Sequence, residues 1–203
     1  MSHRAFTRLR LISIALLVFG LVSVAVAFNA TTAQEAKQRV IARMPVEKDE
    51  PLAIADLKVN GQSVTFGQKF NANDDWLRTL VITVKNTSDK RILFASIELF
   101  IQQPDGARGM FDIFYGPWAL QNRQPKPEEQ LVGIPPGEIA EIGFSPQRYV
   151  GLMSFLNDTH IGPSVENVKV RFGSVIFADE TMWRGGFFRR DPTNPRSWNS
   201  VNP

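Results

Sequence analysis

The sequence predicts an all-β domain, and two observations carry that prediction. Between Leu52 and Phe188, apolar side chains recur at every second position, which is the period of a strand with one buried face. Residues typical of turns, such as Asn60-Gly61, interrupt the pattern about every ten residues. Short strands joined by tight turns are typical of antiparallel sheets.

The first two predicted strands form a hairpin. Residues 52–59 (LAIADLKV) and 62–70 (QSVTFGQKF) flank Asn60-Gly61, a dipeptide that readily takes positive φ at both turn positions. This pattern is a hairpin signal of some strength.

Two longer strands are predicted at 76–86 and 91–101, joined by the turn 87–90 (TSDK). In each strand one face is apolar and the other is mixed. The apolar faces hold Leu80, Ile82 and Val84 in the first strand, and Leu93, Ala95, Ile97, Leu99 and Ile101 in the second.

The second half continues the pattern. A short aromatic strand at 110–115 leads into the longest loop, 116–130, and long loops in compact domains are often functional. Ser145-Pro146 predicts the start of the one helix, at 146–156. The remaining predicted strands are 131–134, 138–145, 165–172 and 174–188, with a bulge at Gly173.

Seven to nine short strands, about ten residues apart, indicate an immunoglobulin-like antiparallel β-sandwich with one short helix, or a related all-β fold. The predicted domain runs from 52 to 192 and is followed by an irregular tail, 193–203. The preceding segment, 29–51, is polar and is interpreted as a spacer, whose part 33–44 has the composition of a short helix.

Residues 1–28 are predicted to direct export. Arg4, Arg8 and Arg10 precede an uncharged apolar run from Leu11 to Phe28, the pattern of a signal peptide or membrane anchor helix. Ala25 and Ala27 have the spacing of a cleavage site, whereas the length of the run just suffices to span a membrane. Both a cleaved leader and an uncleaved anchor fit, and both place the domain in the periplasm or outside the cell.

The charge and the cysteine content exclude some classes of function. The net charge of +3 comes from the leader, because Lys+Arg without Arg4, Arg8 and Arg10 equals Asp+Glu at 20 each. We therefore expect no nucleic-acid partner. With no cysteine, thiol nucleophiles and thiolate metal sites are excluded.

Three segments resemble a known group of proteins. The run 80–101 (LVITVKNTSDKRILFASIELFI) followed by 134–144 (IPPGEIAEIGF) is similar to small exported bacterial immunoglobulin-like β-sandwich proteins of uncharacterised function. The closing segment 175–192 is also similar to such proteins, which carry Asp-Gly-Thr before the Trp, where this chain has Glu180 in place of the Gly. The resemblance covers residues 52–192 and implies a fold and an exported location, but no catalytic residues.

No catalytic motif stands out. The acid pairs Asp74-Asp75, Glu128-Glu129 and Asp179-Glu180 are more typical of solvated loops than of acid–base or Ca²⁺ sites, and His160 is interpreted as a surface residue. There is no Gly-x-Ser-x-Gly, His-Glu-x-x-His or phosphate-binding Gly-rich loop. We therefore expect no enzymatic activity, no cofactor and no metal site.

The best candidate binding residues are aromatic, because aromatic side chains give rigid contact area. Phe114, Tyr115 and Trp118 precede the long loop, and Arg184 belongs to a basic group near Trp183. The alternative is that the aromatic residues and Trp183 belong to the core.

Three functions fit the sequence. The first is an exported binding or accessory module of the cell envelope, which contacts a protein or glycan through the region 102–130 or a strand edge. The alternatives are a membrane-tethered structural component of the envelope and an enzyme that uses loop carboxylates. The sequence does not predict an oligomeric state.

Overall fold

The computed structural model describes residues 36–102, 106, 108–126 and 129–201. The predicted leader therefore lies outside the described residues, together with positions 29–35 of the predicted spacer and Glu128. The strands are β1 (Lys37–Arg43), β2 (Leu52–Val59), β3 (Gln62–Ser63), β4 (Lys69–Ala72), β5 (Val81–Asn86), β6 (Ile92–Gln102), β7 (Arg108–Tyr115), β8 (Ile139–Gly143), β9 (Asn167–Phe177), β10 (Thr181–Trp183), β11 (Phe187–Arg190) and β12 (Trp198–Ser200). One α-helix, α1 (Pro146–Asp158), and two 3-10 helices, Trp76–Thr79 and Trp118–Gln121, complete the described elements.

The strands form two sheets. The smaller has the order β3-β2-β5-β8 and is antiparallel throughout. In the larger, β6 pairs with β7 on one side and with β9 on the other. The other edge of β9 pairs with β1 at its start and with β10 at its end, and from there the sheet continues through β4 and through β11 and β12. Within the described residues, a mostly β arrangement with two sheets and one α-helix agrees with the predicted all-β sandwich.

One hydrophobic core joins the two sheets. It contains Ile82 and Val84 of β5, Ile97 and Leu99 of β6, and Trp183 of β10, all without exposed surface. The alternation predicted for β5 and β6 places these residues correctly, because every second side chain of a strand points to the same face. We call this cluster the main core.

A second, smaller core lies on the opposite face of the larger sheet. Its buried members come from β6, β9, β10 and the loop after β7, and they are Leu93, Phe94, Leu120, Ile176 and Met182. Leu93 was predicted to face the main core. That prediction is wrong, because the register of β6 shifts between Ile92 and Phe94 and turns Leu93 to the other side.

Several local predictions are confirmed. Asn60 and Gly61 have φ of 52° and 74° and join β2 to β3, with Val59 opposite Gln62. In α1 the Ser145 Oγ accepts a hydrogen bond from the Arg148 backbone N–H, so Ser145 is the N-cap, as predicted. A bulge at Gly173 is also present, because Gly173 and Ser174 lie opposite the single residue Ser96.

Segment 33–44 is not a helix in its described part, and the interpretation of 29–51 as a spacer is wrong for β1. This strand runs parallel to β9, with Ile41 opposite Val168, and antiparallel to β4. Ile41 is fully buried in the main core. Because parallel pairing joins residues far apart in the sequence, the local sequence pattern gives little sign of it.

A buried arginine fixes β1. Arg39 has no exposed surface and donates hydrogen bonds to the backbone oxygens of Ala72 and Val165 and to the carboxylate of Asp74, at 2.5 Å. The hydrogen bond that Ser164 donates to Asp74, together with those from Arg39 and Lys37, lowers the pKa of Asp74 well below its ordinary value. The carboxylate therefore stays ionised and compensates the buried guanidinium.

Other boundaries differ from the predictions. Of the predicted strand 62–70, only 62–63 and 69–70 pair, and β4 continues beyond it to Ala72. Trp76–Thr79 forms a 3-10 helix instead of the start of a strand. Segment 131–134 makes a single bridge, between Ile134 and Ile92. The tail, predicted to be irregular, contains β12, which pairs with β11.

Candidate functional site

The register of the larger sheet places a group of polar and aromatic residues on one face. We call the face opposite the main core the outer face. Across it, Ser96 of β6 lies opposite Phe114 of β7, and Glu98 lies opposite Asp112 of β7 and Arg171 of β9. These positions alternate with core residues, so they share a face.

The aromatic residues predicted to bind divide between the two faces. Phe114 and Trp118 belong to the outer face, where their ring centroids lie 5.3 Å apart and Trp118 also packs 6.0 Å from Phe94. Tyr115 packs against the main core instead, because it is the next residue along β7. Trp118 keeps 42% of its surface exposed, whereas Phe114 is half-buried.

Arg184 lies on the same side of the sheet as Phe114 and Trp118. The preceding residue, Trp183, belongs to the main core, and Arg184 is exposed. Its positive charge acts on Asp112 and opposes the rise in the pKa of that carboxyl. The structure therefore brings three of the four predicted binding residues, Phe114, Trp118 and Arg184, to the outer face.

An ion pair between a buried carboxylate and a partly exposed guanidinium lies on this face. Arg171 Nε donates to Glu98 Oε2 at 2.6 Å, and Glu98 is 6% exposed. The side chain of Glu98 lies over Gly173, where an added Cβ would come within 3.0 Å of its Oε1 and within 2.6 Å of Ser96 Oγ. Gly173 thus permits a close approach, because a Cβ there would push against the Ser96 Oγ that accepts the Ser174 N–H, and would crowd the Glu98 side chain.

The surroundings of Asp112 disfavour the ionised form of its carboxyl group. Burial, and then the negative charge of Glu98, raises the pKa of Asp112 above its ordinary value, while Arg148 and Arg184 oppose the rise. Its Oδ1 is buried and accepts no hydrogen bond within the described part of the chain.

Arg148 covers the edge of β7 beside Asp112. It reaches from α1, donates to the backbone oxygen of Asp112, and places its guanidinium 4.6 Å from the ring centre of Phe111 and 4.8 Å from that of Phe114. The aromatic and charged parts of the outer face are therefore connected through one side chain.

Sequence reasoning missed the charged centre. The alternation of the predicted strand 91–101 placed Ser96 and Glu98 together on its mixed face, but neither they nor Asp112 were assigned a role. The sequence did contain a sign of a polar face. Polar residues occur at alternate positions of two strands that are otherwise apolar or aromatic, namely Ser96, Glu98 and Asp112. Their pairing was hidden because it depends on the register between the strands.

The acid pairs noted in the sequence are dispersed. Asp74 pairs with Arg39, and Asp179 forms an ion pair with Lys90 at 2.7 Å. Glu129 forms an ion pair with Arg123, whose hydrogen bond lowers the pKa of Glu129 to about 2. Among the described residues, no group of three or more His, Asp or Glu side chains is placed to hold a metal ion, and His160 is exposed in the turn after α1.

A separate groove of about 540 Å³ opens at the β10–β12 end of the larger sheet. Its walls come from the turns at 48–49 and 88–90 and from β11. The groove contains none of the four predicted binding residues, although Gly185, next to Arg184, lines it.

Among the described residues, none of the helices combines the length and hydropathy needed to cross a membrane. Comparisons with protein-family models, with curated proteins and with solved structures find no match for this chain.

Proposed function

We propose that this chain is an exported, non-enzymatic binding module of the cell envelope that recognises a protein partner through its outer face. Export is supported by the basic and then apolar N-terminus, which either is removed or tethers the domain. The observation that carries the proposal is the presence of exposed Trp118 and exposed Arg184 on the face that holds the Glu98–Arg171 ion pair.

We also propose that the domain is immunoglobulin-like. The order of strand pairing supports this, because β2-β5-β8 lie in one sheet and β7-β6-β9-β10 in the other. The chain thus passes from β5 to β6 between sheets and returns, so that β5 pairs with β8 and β6 with β9. Immunoglobulin-like sandwiches have this exchange of strands between their two sheets.

The chemistry of the outer face favours a protein partner. Trp and Arg contribute much of the binding energy of protein interfaces. Their contribution is largest where the neighbouring groups are shielded from water. Trp118 is held by rings on two sides, so it loses little freedom on binding. Met110, 49% exposed at the other end of β7, adds apolar contact area to the same face.

Affinity capture from an envelope extract, followed by a titration with the purified partner, tests the proposal. Trp118→Ala should weaken binding by about 2 kcal/mol, or roughly 30-fold, the cost typical of a central anchor. Ile139→Ala is the matched control, because Ile139 is also exposed, at 62%, but lies on β8 of the other sheet. Thermal unfolding of both variants checks that they are folded.

If the wild type and Trp118→Ala bound the partner with equal affinity, the outer face would not be the binding surface. Binding that survives protease treatment of the extract but is lost after removal of glycans would identify a glycan partner instead of a protein. Turnover of a substrate that depends on Asp112 or Glu98 would contradict the non-enzymatic assignment.

A further inference from the structure

The groove at the end of the larger sheet arises from the way the sheet continues. Strands β10, β11 and β12 form an antiparallel meander. Trp183 belongs to the main core, so Phe187, its cross-strand neighbour, and Arg189 lie on the core-facing side of the meander. Phe187 is only half-buried and Arg189 is exposed. The core-facing side of the sheet is therefore open to solvent at this end.

The floor of this groove is aromatic. Phe177, 1% exposed, and Phe187 stack with ring centroids 6.3 Å apart and planes inclined by 27°. Gly185 and Gly186 line the groove without side chains of their own. A volume of about 540 Å³ over an apolar floor lies within the range of small-molecule sites.

The rim carries charges of both signs. Lys48 and Arg189 supply two cations, and Asp49 and Asp89 supply two carboxylates. All four are exposed, and within the described residues none of their side chains forms an ion pair. A third cation, Lys90, is already bound to Asp179, at 2.7 Å, which leaves the free charges of the rim balanced.

From this geometry we infer that the groove binds a small zwitterionic ligand with an apolar body, of which a hydrophobic dipeptide is the simplest example. The apolar side chains of the ligand lie on Phe187, which is half-buried and stacks on the buried Phe177. The carboxylate of the ligand is attracted by Lys48 and Arg189, and its ammonium group by Asp49 and Asp89. A purely anionic or purely cationic ligand would meet unfavourable charge from one pair.

The test is a titration of the isotopically labelled full chain with the dipeptide Leu-Phe, followed by NMR. Amide signals of Lys90, Gly186 and Phe187 should shift and saturate. Blocking the amino group with an acetyl group, or the carboxylate as an amide, removes one charge. Each blocked form should bind about three- to fivefold more weakly, the range expected for an exposed charge pair.

Two variants assign the charges. Lys48→Gln should weaken binding of Leu-Phe by about threefold, and it should not affect binding of the form whose carboxylate is blocked. Lys69→Gln, an exposed lysine in β4, is the control and should leave binding unchanged. Absence of saturable shifts with Leu-Phe would overturn the inference. Equal affinity for Leu-Phe and its two blocked forms would overturn the zwitterionic class.

This inference stands apart from the proposed protein-binding function. Trp118 does not line the groove, so Trp118→Ala should retain wild-type affinity for Leu-Phe while losing the protein partner. Loss of both in this variant would show that the two sites are one, which would contradict the inference.

Discussion

Glu180 adopts a backbone conformation that suits glycine. Its φ is 64°, in the turn where its N–H donates to the Phe177 backbone oxygen between β9 and β10. In this left-handed region of φ and ψ, a residue with a Cβ is less stable than glycine by about 1–2 kcal/mol. Glycine adopts the conformation without strain, but it loses more conformational entropy on folding. We expect Glu180→Gly to raise the free energy of unfolding by about 0.5–1 kcal/mol, measured by urea denaturation.

Glu180→Ala is the control for the loss of the carboxylate, because it removes the side chain and keeps the Cβ. It should leave the free energy of unfolding within about 0.5 kcal/mol of the wild type, as for other exposed positions. An equal gain in both variants would mean that the charge of Glu180, and not its backbone, is unfavourable.

The conformation of a single residue was predictable where its own type and its sequence neighbours determine it. The Asn60-Gly61 turn was predicted from its two residues alone, and both have the positive φ expected of them. The left-handed φ of Glu180 was not predicted, because a glutamate gives no local sign of it. Arg39 and Asp112 were not predictable, because the acceptors of Arg39 and the neighbours of Asp112 come from strands distant in sequence.

Among the elements, β1 departs most from its sequence pattern. Its residues are largely polar, and only Ile41 is both apolar and fully buried. Truncation of a buried isoleucine removes its contacts and leaves a cavity. Ile41→Ala should therefore lower the free energy of unfolding by about 2–4 kcal/mol, measured by chemical denaturation.

Gln38→Ala is the control in the same strand, because Gln38 is exposed. It should change the free energy of unfolding by less than about 0.5 kcal/mol. If Ile41→Ala had as small an effect, β1 would be dispensable, as a spacer would be.

Elements with their own periodicity were predicted well. The alternation in β5 and β6 and the N-cap of α1 are encoded within a few residues each. Strands whose formation depends on pairing with other strands were not predicted. Strand β1 pairs with β9 and β4, and β12 pairs with β11. The candidate site divides in the same way, since Phe114, Trp118 and Arg184 were identifiable from residue type, whereas the Glu98–Arg171 centre required the register.

At the scale of the whole molecule, the larger sheet separates two hydrophobic clusters with no member in common. The segment 116–126, predicted as part of the longest loop, covers the second cluster and places Leu120 within it. Arg190 donates to the Leu120 backbone oxygen at 2.5 Å, and Trp198 Nε1 donates to that of Gln121 at 3.3 Å. The loop is therefore held by the end of the chain as well as by the second core.

Because the two cores share no residues, we expect them to open separately. Leu120→Ala should increase hydrogen exchange at the Leu120 and Asn122 amides, which close the 3-10 helix, at least tenfold. Amides of β6 and β9 should keep their protection. Leu99→Ala is the contrast, because Leu99 is also without exposed surface but belongs to the main core, so this variant should reduce protection in both regions. A uniform loss of protection in Leu120→Ala would show one cooperative unit instead of two.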